Sequence, residues 1–476
     1  MPSALPVFPQ NNRLLGILSL AALTVLLFFA LIFWQERGFF GDAPWISFRV
    51  INFGILQIQE HRYGSFITQL FPLLATKAGL PLRTVLFLYS TSFNVFYLGA
   101  GIVLFRWRQY QFLFLLALYF TMSFSVGFYW TNNEVHQGMT WLLLAFGWTA
   151  RDEPRRWLFY SVSLSLFFLA LSSHMLLLLA GGCLWMHLVI ARMAPFYSKK
   201  RSWILAAAVL AIAIWRYYMS KVQGWYDADR LSFINHLHFN KISSILSGKS
   251  SLGFWERLPA HYPAFLVLAA GSVLVLILGK RWLALGWHLL SLALFWFFIS
   301  AAFETFTPWY SESDWASWTM VALIPLAIYG FLIPNQSYTA ALIGLAFALR
   351  LFHIYQSSTP FRERFQKLSY VVSVLKGRYL DKVAIVVPDE KVLEDSLLLS
   401  WPLPVEVMEL SGIAGSNPVV SLGLIKDKSL LPATRDTMLI PFGKLPAKDF
   451  NPVYFPVDSV DKYTVLPLDS LLHWLD

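Results

Sequence analysis

The chain has 476 residues, of which 57% are hydrophobic and only 13% are charged. Soluble globular chains carry about 25% charged residues, so this composition excludes a soluble enzyme and a disordered chain. The net charge of +10 is unevenly distributed, because residues 1–359 hold 24 basic and 12 acidic side chains whereas residues 360–476 hold 13 and 15. Basic residues between apolar segments report membrane orientation, so no nucleic-acid partner is expected.

About eleven apolar segments of near membrane-crossing length follow one another along the first three quarters of the chain. They lie at approximately 14–34, 84–105, 110–129, 138–150, 157–171, 175–191, 202–220, 263–279, 282–302, 316–333 and 337–356. The first lacks the small-residue cleavage site of a removed signal peptide, so it predicts a retained helix. The pattern predicts an α-helical polytopic protein of the plasma (inner) membrane, with a transmembrane domain over residues 1–359.

The orientation follows from the Lys and Arg residues between the segments. A cytoplasmic amino terminus puts most of these cations inside, as the positive-inside rule prefers. The long outer loops are then 35–83, 221–262 and 303–315, and ten of the twelve acids before residue 360 lie outside. Residues 64–80 are short and contain Pro72 and Lys77, which favours an interfacial or re-entrant helix over a span.

The composition changes after Gln356, where RERFQKL is amphipathic and basic. DKVAIVVPDE, PVEVMEL, NPVVSLGLI, DTMLIPF and PVYFPV are short strand candidates separated by Pro and Gly. Residues 360–476 are therefore predicted to form a small α/β domain. An odd number of spans places this domain on the extracytoplasmic side.

Asp42 is the sharpest candidate for chemistry, because its carboxylate follows the first span directly in ERGFFGDAPWISFRV. Such a group is suited to take a proton from an acceptor hydroxyl or amine; a solvated loop acid is the alternative. In YWTNNEVHQGM, Glu134 and His136 are candidates for a second acid/base, a metal ligand or a substrate clamp. The alternative there is a capping turn whose side chains bond one another.

Two further groups of residues could bind a substrate. Candidate phosphate-binding cations are Arg62, Lys221, Arg230 and Arg350, with snorkelling or plain solvation as the alternative. A candidate sugar-binding rim consists of Glu304, Trp309, Tyr310 and Asp314, although aromatic residues at this depth also anchor helices at the membrane interface. The chain has no Gly-rich phosphate loop and no His-Glu-x-x-His site, so no cofactor is assigned, and the sequence leaves open whether a divalent metal assists.

The layout resembles the GT-C superfamily of polytopic glycosyltransferases, which includes protein mannosyltransferases and aminoarabinose transferases. The resemblance is carried by GFFGDAPWISFRVINFGILQIQEHRYGSFITQLFPLL, in which Asp42 stands at the catalytic-acid position of the first outer loop. HRYGSFITQLFPLL stands where many members have a His-Pro-Pro-Leu-like segment; the double proline is missing here, and Ala43 and Pro44 replace a paired acid.

The resemblance implies a polyprenyl-phosphate-linked sugar as donor and a lipid, glycan or protein acceptor on the outer side of the membrane. It implies that Asp42 is the general base and that Arg62 or Lys221 neutralises the departing phosphate. Two alternatives remain from the residues alone. One is a transporter or lipid flippase, and the other is a non-catalytic subunit of an envelope assembly whose protein partners the sequence does not identify.

Overall fold

The computed structural model describes residues 12–151, 155–193, 196, 200–223, 228–230, 232, 242–303, 307–330 and 336–475. The described chain is mostly helical, with a small sheet region near the carboxyl terminus. The helices up to residue 190 are α1 (Arg13–Ile32), α2 (Trp34–Gly38), α3 (Asp42–Phe53), α4 (Phe66–Lys77), α5 (Leu82–Arg106), α6 (Tyr110–Met122), α7 (Glu134–Thr149), α8 (Arg156–Ser173) and α9 (Leu176–Ile190). The next are α10 (Lys200–Gln223), α11 (Ile242–Leu246), α12 (Lys249–His261), α13 (Pro263–Leu278), α14 (Trp282–Ala302), α15 (Pro308–Tyr329), α16 (Gln336–Gln356) and α17 (Thr359–Gly377).

Six helices in the described ranges are long and apolar enough to cross a membrane, or seven if the bent pair α12–α13 forms one span. Their outer faces are apolar: only 17% of the most hydrophobic stretch of Ser202–Val222 and 33% of that of Trp282–Ala302 is buried. Exposed apolar faces of this extent are compatible with a lipid environment. Each of the eleven segments predicted from the sequence overlaps one of the helices.

Three helices, α6, α7 and α15, form the interior of the bundle. Every residue of α6 is buried, and so are nearly all residues of α7 and α15. The 13 residues of α6 extend only about 20 Å, which is less than the roughly 30 Å of a hydrocarbon core. Between α6 and α7 the chain forms the short helical turn Val126–Tyr129 and a buried loop. That loop supplies part of the site described below.

The predicted interfacial segment 64–80 contains α4, which has 12 residues. A helix of that length rises about 18 Å, so α4 by itself is too short to cross a bilayer. Thr68 donates a hydrogen bond to the side-chain oxygen of Gln137 at 2.9 Å, which joins α4 to α7.

The region after α17 is a small α/β unit. Strands β1 (Lys382–Val386), β2 (Ser421–Ile425) and β5 (Thr464–Pro467) form a parallel sheet in the order β2-β1-β5, and β3 (Thr437–Ile440) pairs with β4 (Gly443–Pro446) in a hairpin. The helices of the region are α18 (Lys391–Leu397), α19 (Leu403–Ile413) and α20 (Leu468–Leu475).

Two of the strand predictions in this region were wrong. PVEVMEL lies in α19, whose residues Leu403–Ser411 are all buried, so no period of polar residues marks the helix in the sequence. PVYFPV forms turns that pack Tyr454 and Phe455 into the core, and only Val457 makes an isolated bridge, to Val419. The short strands β4 and β5 were not predicted.

The carboxyl-terminal region shares one hydrophobic core with the segment that follows α1. Phe48 of α3 packs against Phe450 and Phe455, with ring centroids 5.8 and 5.2 Å apart. Asn52 donates to the backbone oxygen of Asp449 at 2.9 Å and accepts from the backbone of Asn451 at 2.7 Å. Helix α3 is therefore held between the helical bundle and the carboxyl-terminal region. The domain boundary between residues 359 and 360 stays a prediction.

Candidate functional site

A cavity of about 610 Å³ lies where α3, α15 and the loop before α7 meet the carboxyl-terminal region. We call it the Asp42 cavity. Its lining includes Asp42, Trp45, Arg49, Gln57, Glu60, Arg62, Trp130, Asn133, Glu134, His174, Tyr310, Ser313, Asp314, Trp401 and Phe442. Five residues predicted from the sequence, Asp42, Arg62, Glu134, Tyr310 and Asp314, are thus brought together although they are as much as 272 positions apart in the chain.

Asp42 is the first residue of α3, and the chain enters the helix through Gly41. Gly41 has a φ of 64°, and a Cβ at this position would lie 2.7 Å from Cδ1 of Trp130. The indole nitrogen of Trp130 donates to Oδ2 of Asp42 at 3.2 Å. Only glycine combines this backbone conformation with the close approach of the indole ring, so Gly41 allows the hydrogen bond to form.

The environment of the Asp42 carboxyl group changes its acidity. Burial and, to a lesser extent, the negative charge of Glu134 together raise the pKa of Asp42 to about 7, against the opposing effects of the Trp130 hydrogen bond and the Arg62 cation. A carboxylate with a pKa near 7 is a stronger base than a solvated one and is still ionised in part at neutral pH.

Arg37 fixes the loop that carries Trp130. Its buried guanidinium donates to the backbone oxygen of Phe128 and, at 2.7 Å, to the side-chain oxygen of Asn94. It also lies over the Phe128 ring, 4.1 Å from the centroid, and its own backbone oxygen accepts from Thr131 at 2.8 Å. These contacts join the segment before Asp42 to the loop before α7 on both sides of Trp130.

Glu134 is the first residue of α7 and forms an ion pair with Arg62. The distance from Nη1 of Arg62 to Oε2 of Glu134 is 3.2 Å. Asn133 caps the helix by accepting from the backbone of Val135 at 2.9 Å, and it donates to the hydroxyl of Ser313 on α15. The sequence predicts either a functional acid or a capping turn at this stretch, and the structure has both the cap and a carboxylate that faces the cavity.

The loop that holds Arg62 is anchored to α4 by two hydrogen bonds. The backbone nitrogen of Gln57 donates to the side chain of Gln69 at 2.7 Å, and Gln69 donates back to the Gln57 oxygen at 3.0 Å. Glu60 and His61 both have positive φ values, 49° and 57°. Two successive residues in this conformation store strain, which is characteristic of loops that position functional groups.

Sequence reasoning missed two residues of α3 that line the same cavity. Trp45 and Arg49 follow Asp42 at intervals of three and seven residues, so the helical period places all three side chains on one face. The Arg49 guanidinium lies 5.4 Å from the centroid of the Trp45 ring. Burial lowers the pKa of Arg49, but the group keeps its charge at neutral pH. Within the described chain it forms no ion pair, so it is a cation placed to meet an anionic ligand.

Four other predicted residues lie away from the cavity lining. His136 is buried, with Nδ1 at 2.9 Å from the hydroxyl of Tyr119. Arg350 is also buried, and it donates to the backbone oxygens of Thr121, His261 and Phe124. Trp309 packs its ring against Phe40. Lys221 is exposed on α10, 5.0 Å from the Tyr217 ring centroid.

The remaining predictions concern Arg230 and Glu304. Arg230 donates to the backbone oxygen of Ala302 at 3.4 Å and is close enough to Asp314 for their charges to interact. Glu304 lies outside the described residues. Within the described ranges, no group of three or more His, Cys, Asp or Glu side chains is placed to hold a metal ion.

The cavity combines three chemical capacities on one surface. Asp42 can accept a proton near neutral pH, Arg49 and Arg62 can bind an anion, and the rings of Trp45, Trp130 and Tyr310 can contact apolar faces of a ligand. Comparison of the chain with family models, with curated proteins and with solved structures gave no match.

Proposed function

We propose that the chain is a membrane glycosyltransferase that moves a sugar from a polyprenyl-phosphate-linked donor to an acceptor on the extracytoplasmic side. In this proposal, the eleven helical segments cross or enter the plasma membrane with the amino terminus in the cytoplasm. The Asp42 cavity and the carboxyl-terminal region then face outward, beside the leaflet from which a lipid-linked donor would enter.

The observation that carries the proposal is the pairing of a carboxylate of raised pKa with two arginines in one cavity. Transfer of a sugar from a phosphate needs a base at the acceptor and a cation at the leaving group. Asp42 removes the proton from the acceptor hydroxyl or amine as that atom attacks the anomeric carbon. The bond between this carbon and the phosphate oxygen breaks, and the polyprenyl phosphate leaves with its electron pair and negative charge beside Arg49 and Arg62. A single direct displacement of this kind inverts the anomeric configuration.

Glu134 has a positioning role in this scheme. Its ion pair holds the Arg62 guanidinium at the cavity, and its charge keeps the Asp42 carboxyl group basic. Trp130 orients the carboxylate by its hydrogen bond, so that one oxygen is occupied and the other is available to the acceptor.

The test is the binding of undecaprenyl phosphate to the purified protein by native mass spectrometry. We expect saturable retention of the lipid by the parent protein and by Asp42→Asn, and a loss of about tenfold or more in Arg49→Ala and Arg62→Ala, because each removes a charge-assisted contact to phosphate. The matched control is Arg83→Ala, since Arg83 is exposed at the start of α5. Equal retention by all variants, or no specific retention by the parent, would overturn the proposal.

A further inference from the structure

A second cavity, of about 380 Å³, lies in the carboxyl-terminal region at the carboxyl ends of β1 and β2. We call it the strand-end cavity. Val387 follows β1, Ile425 ends β2, and the β3–β4 hairpin closes the other side with Ile440 and Gly443. The crevice outside the carboxyl ends of parallel strands is a common ligand-binding position in α/β sheets.

The strand-end cavity adjoins the Asp42 cavity, because Trp401 and Phe442 line both. The two rings lie 5.1 Å apart, centroid to centroid, at an angle of 34°. The Phe442 ring also meets Trp45 of the Asp42 cavity edge to face at 5.9 Å. These three rings form a continuous aromatic wall from the face of α3 that carries Asp42 to the sheet.

Phe442 is an unusual residue for its position. It stands at the tip of the β3–β4 hairpin with a φ of 62°, and 80% of its surface is exposed. A turn position of positive φ favours glycine or asparagine, and an exposed phenylalanine adds little to the stability of the fold. The local rules for turn formation therefore do not account for this residue, and its position between two cavities suggests a ligand contact.

We propose that the two cavities form one extended acceptor site for a carbohydrate chain, with Trp401 and Phe442 as a stacking platform for the sugar next to the one that reacts. The inference rests on the proposed function, because the reacting hydroxyl must reach Asp42. Tilted aromatic rings fit the C–H faces of pyranose rings, and the exposed rim residues Glu390, Lys426 and Lys444 can bond the hydroxyl groups. A lipid tail offers no hydrogen-bonding groups to these charged rim side chains, whereas a glycan does, so the chemistry favours a glycan.

Saturation-transfer-difference NMR of the full chain in lipid nanodiscs tests the platform without requiring the donor. The probes are cellotriose and the trimer of N-acetylglucosamine, whose equatorial substituents leave flat C–H faces, with glucose as the monosaccharide reference. We expect one or both trimers to bind more tightly than glucose and Phe442→Ala to weaken trimer binding about tenfold, as the loss of an aromatic stacking contact predicts. Phe442→Tyr keeps the ring and should keep the binding.

Tyr379→Ala is the matched control, since Tyr379 has a φ of 54° and is 89% exposed but lines neither cavity. It should bind like the parent, because its ring lines neither cavity. If neither trimer binds, or if Phe442→Ala binds as well as the parent, the platform is disproved, and binding of undecaprenyl phosphate would still stand. If neither trimer binds but an unfolded polypeptide does, and Phe442→Ala weakens that binding, then the acceptor is a protein and not a glycan. If the trimers bind through Phe442 but the protein releases no polyprenyl phosphate from any donor, then the site is not an acceptor site. That result would overturn the proposed function as well.

Discussion

The indole nitrogen of Trp130 lies 3.2 Å from Oδ2 of Asp42 and donates a hydrogen bond to it. The bond joins the first residue of α3 to the loop before α7, 88 positions along the chain. Trp130 is itself held by an edge-to-face contact with Tyr310 of α15, at 4.4 Å between the ring centroids. Three separate parts of the chain thus determine where the Asp42 carboxylate points.

The pH dependence of transfer should identify Asp42 as the base. Its pKa of about 7 predicts that the rate of polyprenyl phosphate release rises with pH through about 7 and is constant above. Glu134→Gln removes a charge that raises this pKa, so the midpoint should move to lower pH. Trp130→Phe removes a hydrogen bond that lowers it, so the midpoint should move to higher pH. Shifts of the same sign in both variants would contradict the assignment.

The same pKa predicts that Asp42 costs stability at alkaline pH. The unfolded carboxyl group titrates near 3.8 and the folded one near 7, so the folded protein binds more protons between these values. The free energy of unfolding therefore falls as pH rises from about 4 to about 7 and stays low above. Asp42→Asn removes this loss. Its apparent Tm at pH 8 should exceed that of the parent, and the two should converge towards pH 4. A variant less stable than the parent at pH 8 would refute the raised pKa.

Gly41→Ala should displace Trp130 from Asp42. The new Cβ would stand 2.7 Å from Cδ1 of the indole ring, and the backbone has a φ of 64° and a ψ of −134°, a sparsely populated conformation that costs a non-glycine residue about 1–3 kcal/mol. We expect a marked loss of transfer activity together with this loss of stability. Gly377→Ala is the control, because no atom lies within 4 Å of its added Cβ and its φ is not positive. Normal activity in Gly41→Ala would show that the bond to Trp130 is dispensable.

Arg364 should be the main electrostatic link between the carboxyl-terminal region and the site. Its buried guanidinium bonds both carboxylate oxygens of Glu406, at 2.9 and 2.8 Å, and donates to the backbone oxygen of Phe39 at 2.5 Å. Arg364→Ala leaves the Glu406 carboxylate buried without its cation, so the free energy of unfolding should fall by about 3–5 kcal/mol.

Arg362→Ala is the matched control for that variant. Arg362 is half exposed and lies 4.0 Å from Glu36, a geometry that contributes at most about 1 kcal/mol. Chemical denaturation in detergent would measure both differences. Equal effects of the two substitutions would show that the buried pair does not hold the regions together.

The positions of the long apolar helices could be predicted from the sequence because each apolar segment identifies its helix without reference to its neighbours. Helix α19 could not, since Arg364 and Ser47 bond the two acids Glu406 and Glu409 inside the core, and these acids therefore mark no exposed face. Within the site, the acidic and basic candidates were visible one by one, but their grouping depends on tertiary contacts. The role of Arg350 could not be predicted, because an arginine near the end of a helix has the same sequence signature whether it bonds carbonyl groups, as here, or a phosphate.

Trp401 and Phe442 could not be assigned to the site from the sequence either. They lie 359 and 400 positions after Asp42, in a region predicted as a separate domain, and tertiary contacts such as that of Phe442 with Trp45 bring them to the cavity. Trp45 and Arg49, by contrast, could have been found, because they follow Asp42 at helical intervals in a segment with an acid at its start.

Release of free polyprenyl phosphate is the most direct measure of the proposed chemistry. The protein would be given a panel of polyprenyl-phosphate-linked sugars together with a membrane lipid and glycan extract, and the product followed by liquid chromatography and mass spectrometry. The parent should release polyprenyl phosphate from at least one donor, Asp42→Asn should be slower by about 100-fold or more, and Asp395→Asn, at an exposed position on α18, should equal the parent. Undiminished release by Asp42→Asn, or no release by the parent from any donor, would contradict the account.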